Sequence, residues 1–417
     1  MSSPVVEKIE RFAYKLGRQK HILAMRDGIA LALPLILIGS LFVIIQSFPV
    51  DSWTKFLTDT GAMGYLGTLA TGTFGLMGLV SVFGIAKNLA DSYKVDGTNA
   101  GIIAVASYII LIPMTEGNIN LGYFGSKGLF IALILGILSG EIFRYFIQKN
   151  IVIKMPDTVP PAVARSFTSL IPGLFIILVV AALDLSVKAL GFADAFEIVL
   201  KVLGEPLKMA SNTFPGALLA IFVNSVVWLC GIHGGQLLSS VMDPVWFMNT
   251  DANRVAFQAG QELPYIVTKP FLDNFAWVGG GGATIGLAIF LFFFAKSQQN
   301  KALGKLAFVP DWFSVNEPML FGFPIVLNLE LAIPFIVAPM VTGTISYFAM
   351  YFGLVHKTVG ILIPWATPPI ISGYLSTGGH ISGSVLQIIN IIVSFLIYYP
   401  FVKRIDMRLK KEEDSLQ

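Results

Sequence analysis

The chain has 417 residues, of which 55% are hydrophobic and 13% are charged, and its formal net charge is +3. An ordinary soluble domain has about a quarter charged residues, and a chain with half that share would expose large apolar patches and associate in water. The composition therefore excludes an ordinary soluble protein and predicts an all-α integral membrane protein. The small net charge does not point to nucleic acid, and we expect no nucleic-acid partner.

Basic residues cluster near both ends of the chain, beside hydrophobic segments. Lysine and arginine mark the cytoplasmic side of membrane spans, so we expect both termini in the cytoplasm and an even number of crossings. The two clusters are Lys8, Arg11, Lys15, Arg18, Lys20 and Arg26 at the start and Lys403, Arg404, Arg408, Lys410 and Lys411 at the end.

A helix that crosses a bilayer needs about 20 mostly apolar residues. Counting two ambiguous stretches at 315–329 and 359–371, we expect about ten transmembrane helices, together with re-entrant hairpins. The clearer spans are predicted, in chain order, at 28–48, 66–90, 100–114, 128–147, 170–190, from 218 onward, and at 279–295, 331–352 and 385–401.

Two further segments are predicted to be amphipathic helices that lie at the membrane interface. The first precedes the first span, where Ile9, Phe12, Ala13 and Leu16 recur at helical spacing between basic residues. The second covers residues 193–209, where charged residues share the segment with apolar ones.

Irregular backbone persists at membrane depth only inside protein or beside water. Segments in which proline, glycine and polar residues interrupt hydrophobic runs are therefore the candidate solute path. In the first of these, Pro160 and Pro161 break a helix and Arg165 offers several hydrogen-bond donors, although a cytoplasmic loop with a positive-inside arginine explains it equally well.

In the second of these segments, His233 lies between glycines, where backbone and ligand approach closely. A single histidine is otherwise usually a structural hydrogen-bonding group.

Two further interruptions follow. Glu317 precedes Pro318 in apolar surroundings, where a carboxylate is costly unless it is partnered or used. The alternative is an acid at a helix N-terminus, but the sequence shows no nearby cation, which favours a ligand role.

The fourth interrupted segment places Trp365 between prolines. Its indole, like that of Trp228, offers a flat apolar face to a sugar ring, whereas Trp53 fits an interface anchor.

An acid, an imidazole, amides and two indoles suit a neutral polyhydroxylated solute, because a carboxylate accepts hydrogen bonds from hydroxyls and aromatic faces cover a ring. An anionic solute would need basic residues at depth, and only Lys87 and Arg165 are candidates. The sequence has no Gly-x-x-x-x-Gly-Lys-Ser/Thr nucleotide loop, and its four histidines show no metal-ligand spacing. We therefore expect no metal and no cofactor.

Cys230 lies in an apolar run and is interpreted as a small buried hydrophobic residue.

Four motifs resemble the membrane-spanning IIC component of the bacterial sugar phosphotransferase system, in its lactose/cellobiose (diacetylchitobiose-type) branch. Their order and separations match that family across nearly the whole chain. The motifs are PPAVARSF at 160–167, GIHGG at 231–235, NEP at 316–318 with the trailing FGFPIVLN at 321–328, and the weaker PWATPP at 364–369.

The resemblance implies a transport subunit that binds a β-linked disaccharide or related glucoside from outside. The sugar's 6-hydroxyl would be presented to a phosphocysteine on a separate cytosolic IIB protein. IIA would act upstream of IIB. The resemblance also implies a homodimer in the bacterial cell membrane. Residues 1–209 would form a transmembrane half that makes the dimer contact, and 210–417 a half that carries the sugar. Cys230 is not the phosphocysteine.

The resemblance assigns Glu317 and His233 to the sugar near its 6-hydroxyl. Both are candidate catalytic residues because a buried carboxylate or imidazole can accept the hydroxyl proton. Whether Glu317 is a general base or a positioning group stays open at this stage. An ion-coupled sugar symporter, in which Glu317 carries a proton, is the alternative function. An intramembrane glycosyltransferase is disfavoured because paired acids with a metal are absent from the sequence.

The remaining substrate-binding residues follow from the same resemblance. Trp228 and Trp365 would pack on the sugar rings, and Asn316 would support the neighbouring acid. Lys87 and Arg165 are looser correspondences, which would attract the phosphoryl group when IIB docks.

Overall fold

The structure is a computed structural model that describes residues 15, 19–46, 48, 51–115, 118–156, 158–323, 325–326 and 328–415. Ile9, Phe12, Ala13 and Leu16, which carry the prediction of an N-terminal interfacial helix, lie outside the described residues. The described chain is built from helices and turns, with one antiparallel pair of two-residue strands, β1 (Met114–Thr115) and β2 (Asn118–Ile119). The prediction of an all-α protein is confirmed.

The first half of the described chain is a set of packed helices whose longest members are strongly apolar. Short 3-10 turns at Leu121–Phe124 and Ser126–Gly128 and a π-helical turn at Leu200–Gly204 interrupt it. The helices are α1 (Lys20–Ala30), α2 (Leu33–Gln46), α3 (Asp51–Asp59), α4 (Ala62–Phe74), α5 (Met77–Ser92), α6 (Gly97–Leu111), α7 (Leu129–Gln148), α8 (Pro161–Thr168), α9 (Leu170–Ala189), α10 (Ala195–Val199) and α11 (Glu205–Ser211).

Helices α1 and α5 cross at a contact between two glycines. A Cβ atom on Gly28 would lie 2.3 Å from Ile85 Cγ1, and a Cβ on Gly84 would lie 2.7 Å from the Gly28 carbonyl oxygen. Small residues allow helix backbones to approach closely in membranes, where van der Waals packing drives helix association. This crossing fixes α1, which carries two charged residues of the site described below.

The second half contains longer helices separated by irregular segments. A π-helical turn at Leu272–Ala276 follows α14 directly. The helices are α12 (Phe214–Leu229), α13 (Gly234–Gln258), α14 (Lys269–Phe271), α15 (Ile285–Phe293), α16 (Gln298–Trp312), α17 (Glu317–Gly322), α18 (Leu329–Tyr351), α19 (Ile371–Ser376) and α20 (Ile381–Ser415).

One buried face of α20 satisfies the backbone of the irregular segments. Gln387 donates to the carbonyl oxygen of Asn274 at 2.7 Å and accepts from the backbone N–H groups of Ile370 and Gly373. Further along the helix, the hydroxyl groups of Ser394 and Tyr398 donate to the carbonyl oxygens of residues 283 and 282. Buried backbone groups outside regular helices need such partners, so α20 is the support on which the broken segments rest.

Six helices in the described residues are long and apolar enough to cross a membrane, or seven if the bent pair Ala195–Met209 and Phe214–Leu229, which meet at 85°, is one span. The total of about ten crossings stays a prediction. The glycine-led span expected at 279–295 is helical only over Ile285–Phe293, and the ambiguous stretch at 315–329 contains only the short helix Glu317–Gly322 among its described residues. Residues 359–370 form turns and irregular backbone.

The region from 231 to 277 has few uninterrupted apolar stretches, and it contains the 25-residue helix α13, with Pro244 in its interior. Many of its buried side chains are polar, including Ser240, Asn249 and Asn253. These residues pair with irregular segments, as where Asn253 donates to the carbonyl oxygens of Tyr265 and Thr358. A hydropathy search misses such a helix because much of its buried face is polar.

Candidate sugar-binding site

A cavity of about 630 Å³ lies between α1–α2 and the irregular segments of the second half. It has the size of a small-molecule site. The side chains around it are Arg26, Asp27, Ile29, Ala30, Leu33, Leu37, Asn224, Trp228, His233, Gly235, Gln236, Ser239, Asp243, Phe247, Lys269, Asp273, Trp277, Gly280, Gly281, Ser314, Asn316, Glu317, Leu362, Ile363, Pro364 and Trp365. Five of the seven residues that the sequence assigned to the site are brought together here.

Glu317 is the first residue of α17, and its half-buried side chain lines the cavity. The N-cap position is occupied by Asn316, not by the acid, and Pro318 follows at the start of the helix. Among the described residues, no hydrogen bond or ion pair reaches the Glu317 carboxylate. Its oxygens are therefore available to a ligand, as the sequence argument required.

Asn316 is buried behind Glu317 and joins it to the glycine-rich loop at 279–282. Its Nδ2 group donates to the carbonyl oxygen of Gly281 at 2.8 Å and to the Thr284 hydroxyl at 2.9 Å. Gly280 has φ +93°, and a Cβ there would lie 2.7 Å from Asn316 Cγ. Only a glycine permits this contact without strain. Asn316 therefore fixes both the loop and the start of α17.

His233 is the N-cap of α13, and its Nδ1 accepts the backbone N–H of Gln236 at 3.1 Å. Because Nδ1 is an acceptor, the neutral ring carries its proton on Nε2, which becomes a donor. Burial lowers the pKa of His233 below its usual value, and the nearby Glu317 carboxylate opposes that shift. His233 thus has the structural hydrogen bond that a single histidine usually makes, and among the described residues no hydrogen bond occupies its other ring nitrogen.

Three indoles face the cavity. Trp228 is 5% exposed and packs against the His233 ring, with 4.2 Å between ring centroids. Trp365 is 62% exposed and lies in the turn that the Thr367 N–H closes on the Pro364 carbonyl oxygen, before α19. Trp277, which the sequence argument missed, is 7% exposed, and its Nε1 has no hydrogen-bond partner among the described residues. Flat apolar faces with one polar edge suit a sugar ring.

A buried ion triad forms another part of the wall. Lys269 Nζ lies 3.5 Å from an oxygen of Asp243 and 3.3 Å from an oxygen of Asp273. Burial raises the pKa of both carboxyl groups, and the Lys269 ammonium group between them opposes the shift. The i,i+4 spacing of Lys269 and Asp273 is visible in the sequence. The partner Asp243 lies on a different helix, so the sequence gives no signal for the triad.

Arg26 and Asp27 also line the cavity, from α1. Arg26 Nε donates to Asp27 at 2.6 Å, and its Nη1 donates to Gln236 Oε1 at 2.7 Å. Arg26 was expected only among the cytoplasmic basic residues. Its position shows that α1 supplies charged groups to a cavity whose other polar side chains belong to the second half.

Lys87 and Arg165 do not line the cavity. Lys87 Nζ lies 2.7 Å from an oxygen of Asp91, and Arg165 Nε lies 3.8 Å from an oxygen of Asp96. Both cations therefore lie at the turn between α5 and α6, and Arg165 has a side chain that is 63% exposed. The structure does not bring them to the sugar-binding candidates, and their role toward an approaching phosphoryl group stays a prediction.

The described residues contain no group of three or more histidine, cysteine, aspartate or glutamate side chains that could hold a metal ion. The cavity offers hydroxyl-binding carboxylates, neutral donors and indole faces. A multi-pass helical protein with such a cavity between broken segments belongs to the class of membrane transporters for polar solutes.

Comparisons with known proteins define the family. A model of the phosphotransferase system EIIC family matches residues 26–339. The lichenan permease IIC component of Bacillus subtilis is 46% identical over 99% of this chain and 95% of its own length. The cellobiose-specific EIIC component of Geobacillus stearothermophilus is 43% identical, over 98% and 95%. The crystal structure of ChbC, the IIC component of an N,N′-diacetylchitobiose-specific phosphotransferase system, aligns with a TM-score of 0.93 and 41% identity over 97% of this chain and 98% of that chain.

The chain belongs to the IIC family of the phosphotransferase system and is a sugar-translocating IIC component of the membrane. The resemblance seen in the four motifs is confirmed, and the ion-coupled symporter is not favoured. IIC components work with IIB: the lactose-specific relative of Staphylococcus epidermidis, 33% identical, is named EIICB, and this chain matches 71% of its length.

Proposed function

We propose that the cavity binds a neutral β-linked disaccharide of the cellobiose or diacetylchitobiose kind and presents its 6-hydroxyl to phosphorylated IIB. The observation that carries this proposal is the unpaired Glu317 carboxylate beside the protonated Nε2 of His233. One group accepts a hydrogen bond and the other donates one, which is the pairing that a sugar hydroxyl satisfies. The names of the relatives, which refer to cellobiose, lichenan and diacetylchitobiose, support the choice of sugar.

The remaining residues position the sugar and the Glu317 carboxylate. Trp228 and Trp365 cover the apolar faces of the rings, and Asn316 holds Glu317 in place through the glycine-rich loop. Phosphoryl transfer gains most from alignment and from stabilisation of charge. A fixed carboxylate that orients one hydroxyl toward the incoming phosphorus supplies the first of these.

The reaction is a displacement at phosphorus. The sugar O6–P bond forms while the S–P bond of the IIB phosphocysteine breaks, and its electron pair returns to the cysteine as a thiolate. The hydroxyl proton passes to an acceptor within hydrogen-bond reach. We assign that proton to Glu317, because His233 Nδ1 is already occupied by the Gln236 N–H.

The proposal is tested by Glu317→Gln in the purified chain. A hydrogen bond to a charged group is worth about 1.5–3 kcal/mol, so sugar affinity should fall about ten- to hundredfold, and phosphorylation by IIB should stop. The matched control is Glu330→Gln, since Glu330 also lies in the first turn of a helix but pairs with Arg408 at 2.8 Å outside the cavity. Normal binding and normal phosphorylation by Glu317→Gln would remove Glu317 from the site.

We also propose that the chain is a homodimer, with the contact in the half formed by 1–209 and the sugar site in the half formed by 210–417. The face that we assign to the contact is on helix α9, where Leu174, Leu178 and Leu185 are more than half exposed. Exposed leucines of a membrane helix contact either lipid or a second copy, and crosslinking separates the two. Oxidation of Leu178→Cys, in a Cys230→Ser background, should yield crosslinked dimers, whereas Leu396→Cys on α20 should not. A chain that stays monomeric in mild detergent would refute the dimer.

Both termini are proposed to be cytoplasmic. The support is the groove at the end of α20, which is lined by Lys403, Arg404, Arg408 and Lys411, because exposed basic residues mark the cytoplasmic side. A membrane-impermeant thiol reagent should label Ser415→Cys in inverted vesicles but not in intact cells. Labelling in intact cells would show that the C-terminus lies outside the cell and would refute this orientation.

A further inference from the structure

The ionisable side chains around the cavity carry a surplus of negative charge. Counted at their formal charges, Arg26 and Lys269 give two positive charges and Asp27, Asp243, Asp273 and Glu317 give four negative ones, which is a net charge of −2. His233 is neutral in the arrangement described above. Arg26 and Asp27 contact each other and cancel, so the surplus belongs to the Lys269 triad and to Glu317.

The triad sets one cation against two acids. One ammonium group lies between two carboxylates, and the Lys269 side chain is 17% exposed, against 14% for Asp243 and 27% for Asp273. Lys269 also lies 3.4 Å from the Ser239 hydroxyl and over the Trp246 ring. A cation held this way is not available to an anion in the cavity, and partial burial makes the uncancelled charge act more strongly than it would in water.

Two neutral groups among the cavity-lining residues point to an uncharged ligand. Trp277 Nε1 is a donor without a partner, and Asn224 Oδ1 is an acceptor without one, among the residues the structure describes. Both side chains are more than nine-tenths buried. Buried polar groups in native proteins have partners, and hydroxyl groups satisfy a donor and an acceptor alike. A phosphate group, by contrast, only accepts at neutral pH.

We propose that the negative surplus of Asp243, Asp273 and Glu317 over Lys269 is a specificity device that holds the neutral disaccharide and expels its 6-phosphate. The proposal rests on the proposed function, because it takes the cavity as the sugar site. A phosphate monoester carries about −1.5 to −2 charges at pH 7, and transfer places that charge on the hydroxyl next to Glu317. Substrate is thus retained, the product is repelled as soon as it forms, and product inhibition stays weak.

The test compares two ligands on the full purified chain. Dissociation constants are measured by calorimetry for cellobiose and for cellobiose 6-phosphate, and their ratio is the readout. Removing one unit charge at about 10 Å from a phosphate dianion changes affinity on the order of tenfold. The wild-type chain should bind the phosphate ester about a hundredfold more weakly than the neutral sugar, and Asp273→Asn should reduce that ratio about tenfold.

Two further variants keep the test decisive. Asp243→Asn removes a charge from the same triad and should reduce the ratio as Asp273→Asn does, which covers the case in which one variant fails to fold. Asp184→Asn is the matched control. Asp184 is also a partly buried acid (15% exposed) paired with a lysine four residues on, Lys188, but it lies outside the cavity, so the ratio should not change.

The outcomes separate the two proposals. A ratio that is unchanged or larger in both triad variants overturns the specificity device, even where cellobiose binds normally. If Glu317→Gln leaves cellobiose affinity unchanged, the cavity is not the sugar site, and the proposed function fails on that measurement alone. A ratio near one in the wild-type chain also overturns the device.

Discussion

The support that α20 gives to the broken segments leads to a quantitative prediction. Gln387 is 1% exposed and makes four hydrogen bonds, to the N–H groups of Ile370 and Gly373, the carbonyl oxygen of Asn274 and the Ser372 hydroxyl. Substitution of Gln387 by leucine leaves three backbone groups unpaired in the interior. At about 1–3 kcal/mol for each such group, the loss of stability is roughly 3 kcal/mol or more.

A graded series tests that reasoning by thermal unfolding in detergent. Asn390→Ala removes a donor to the carbonyl oxygen of Phe275 and to Ser346, so one backbone group loses its partner, and the cost should be about 1–2 kcal/mol. Ile388→Ala, at a 41% exposed position on the same helix, should cost about 0.5 kcal/mol or less. The melting temperature should fall most for Gln387→Leu and least for Ile388→Ala.

The same series should change sugar binding, because Gln387 connects two walls of the cavity. Its partner Ile370 follows the segment that carries Trp365, and its partner Asn274 follows Asp273 directly. Cellobiose affinity should therefore fall in Gln387→Leu and stay unchanged in Ile388→Ala. The reasoning is refuted if Gln387→Leu melts at the same temperature as Ile388→Ala, since buried backbone groups would then not depend on this side chain.

Two further predictions concern the ligand groups. Trp365→Ala should weaken cellobiose binding about five- to tenfold, because an exposed indole that stacks on a ring contributes about 1–1.5 kcal/mol. Calorimetry measures the change in affinity. An unchanged affinity would show that Trp365 does not contact the sugar. Burial lowers the pKa of His233 from the usual 6.5, so the imidazole stays neutral down to pH values below 6.5. Cellobiose affinity should be constant from pH 8 to 6.5 and fall only in more acidic solution, as protonation breaks the bond from Gln236 to Nδ1. The decline should be absent in His233→Gln, and a decline that begins near pH 7.5 would contradict the shift.

Local patterns predicted most of the site. Glu317 before a proline and His233 between glycines were identified because a carboxylate or imidazole at a broken helix is costly without a partner, and that cost can be recognised from a few neighbouring residues. Trp228 and Trp365 followed from the same local reasoning. The structure gathers all four, with Asn316, around one cavity.

Lys87 and Arg165 show what local patterns leave open. Each contacts an aspartate near the turn between α5 and α6 and lies outside the cavity, so their role toward a phosphoryl group stays a prediction. Lys269 shows the reverse case, since it lines the cavity and was not predicted. The position of a charged side chain depends on which distant carboxylates the fold brings within reach, and sequence spacing does not contain that information.

The sequence by itself determined the membrane environment, the helical class, the family and the residues that carry polar chemistry, because hydropathy, helix-breaking residues and short motifs are local properties of the chain. Only the tertiary structure decided which of those residues share a cavity. It placed Asp243 of α13 against Lys269, brought Arg26 of α1 to the opposite wall, and set Gln387 beneath two broken segments. These contacts arise because buried charges and unpaired backbone groups must find partners within the folded chain, and the partners that satisfy them lie far apart in sequence.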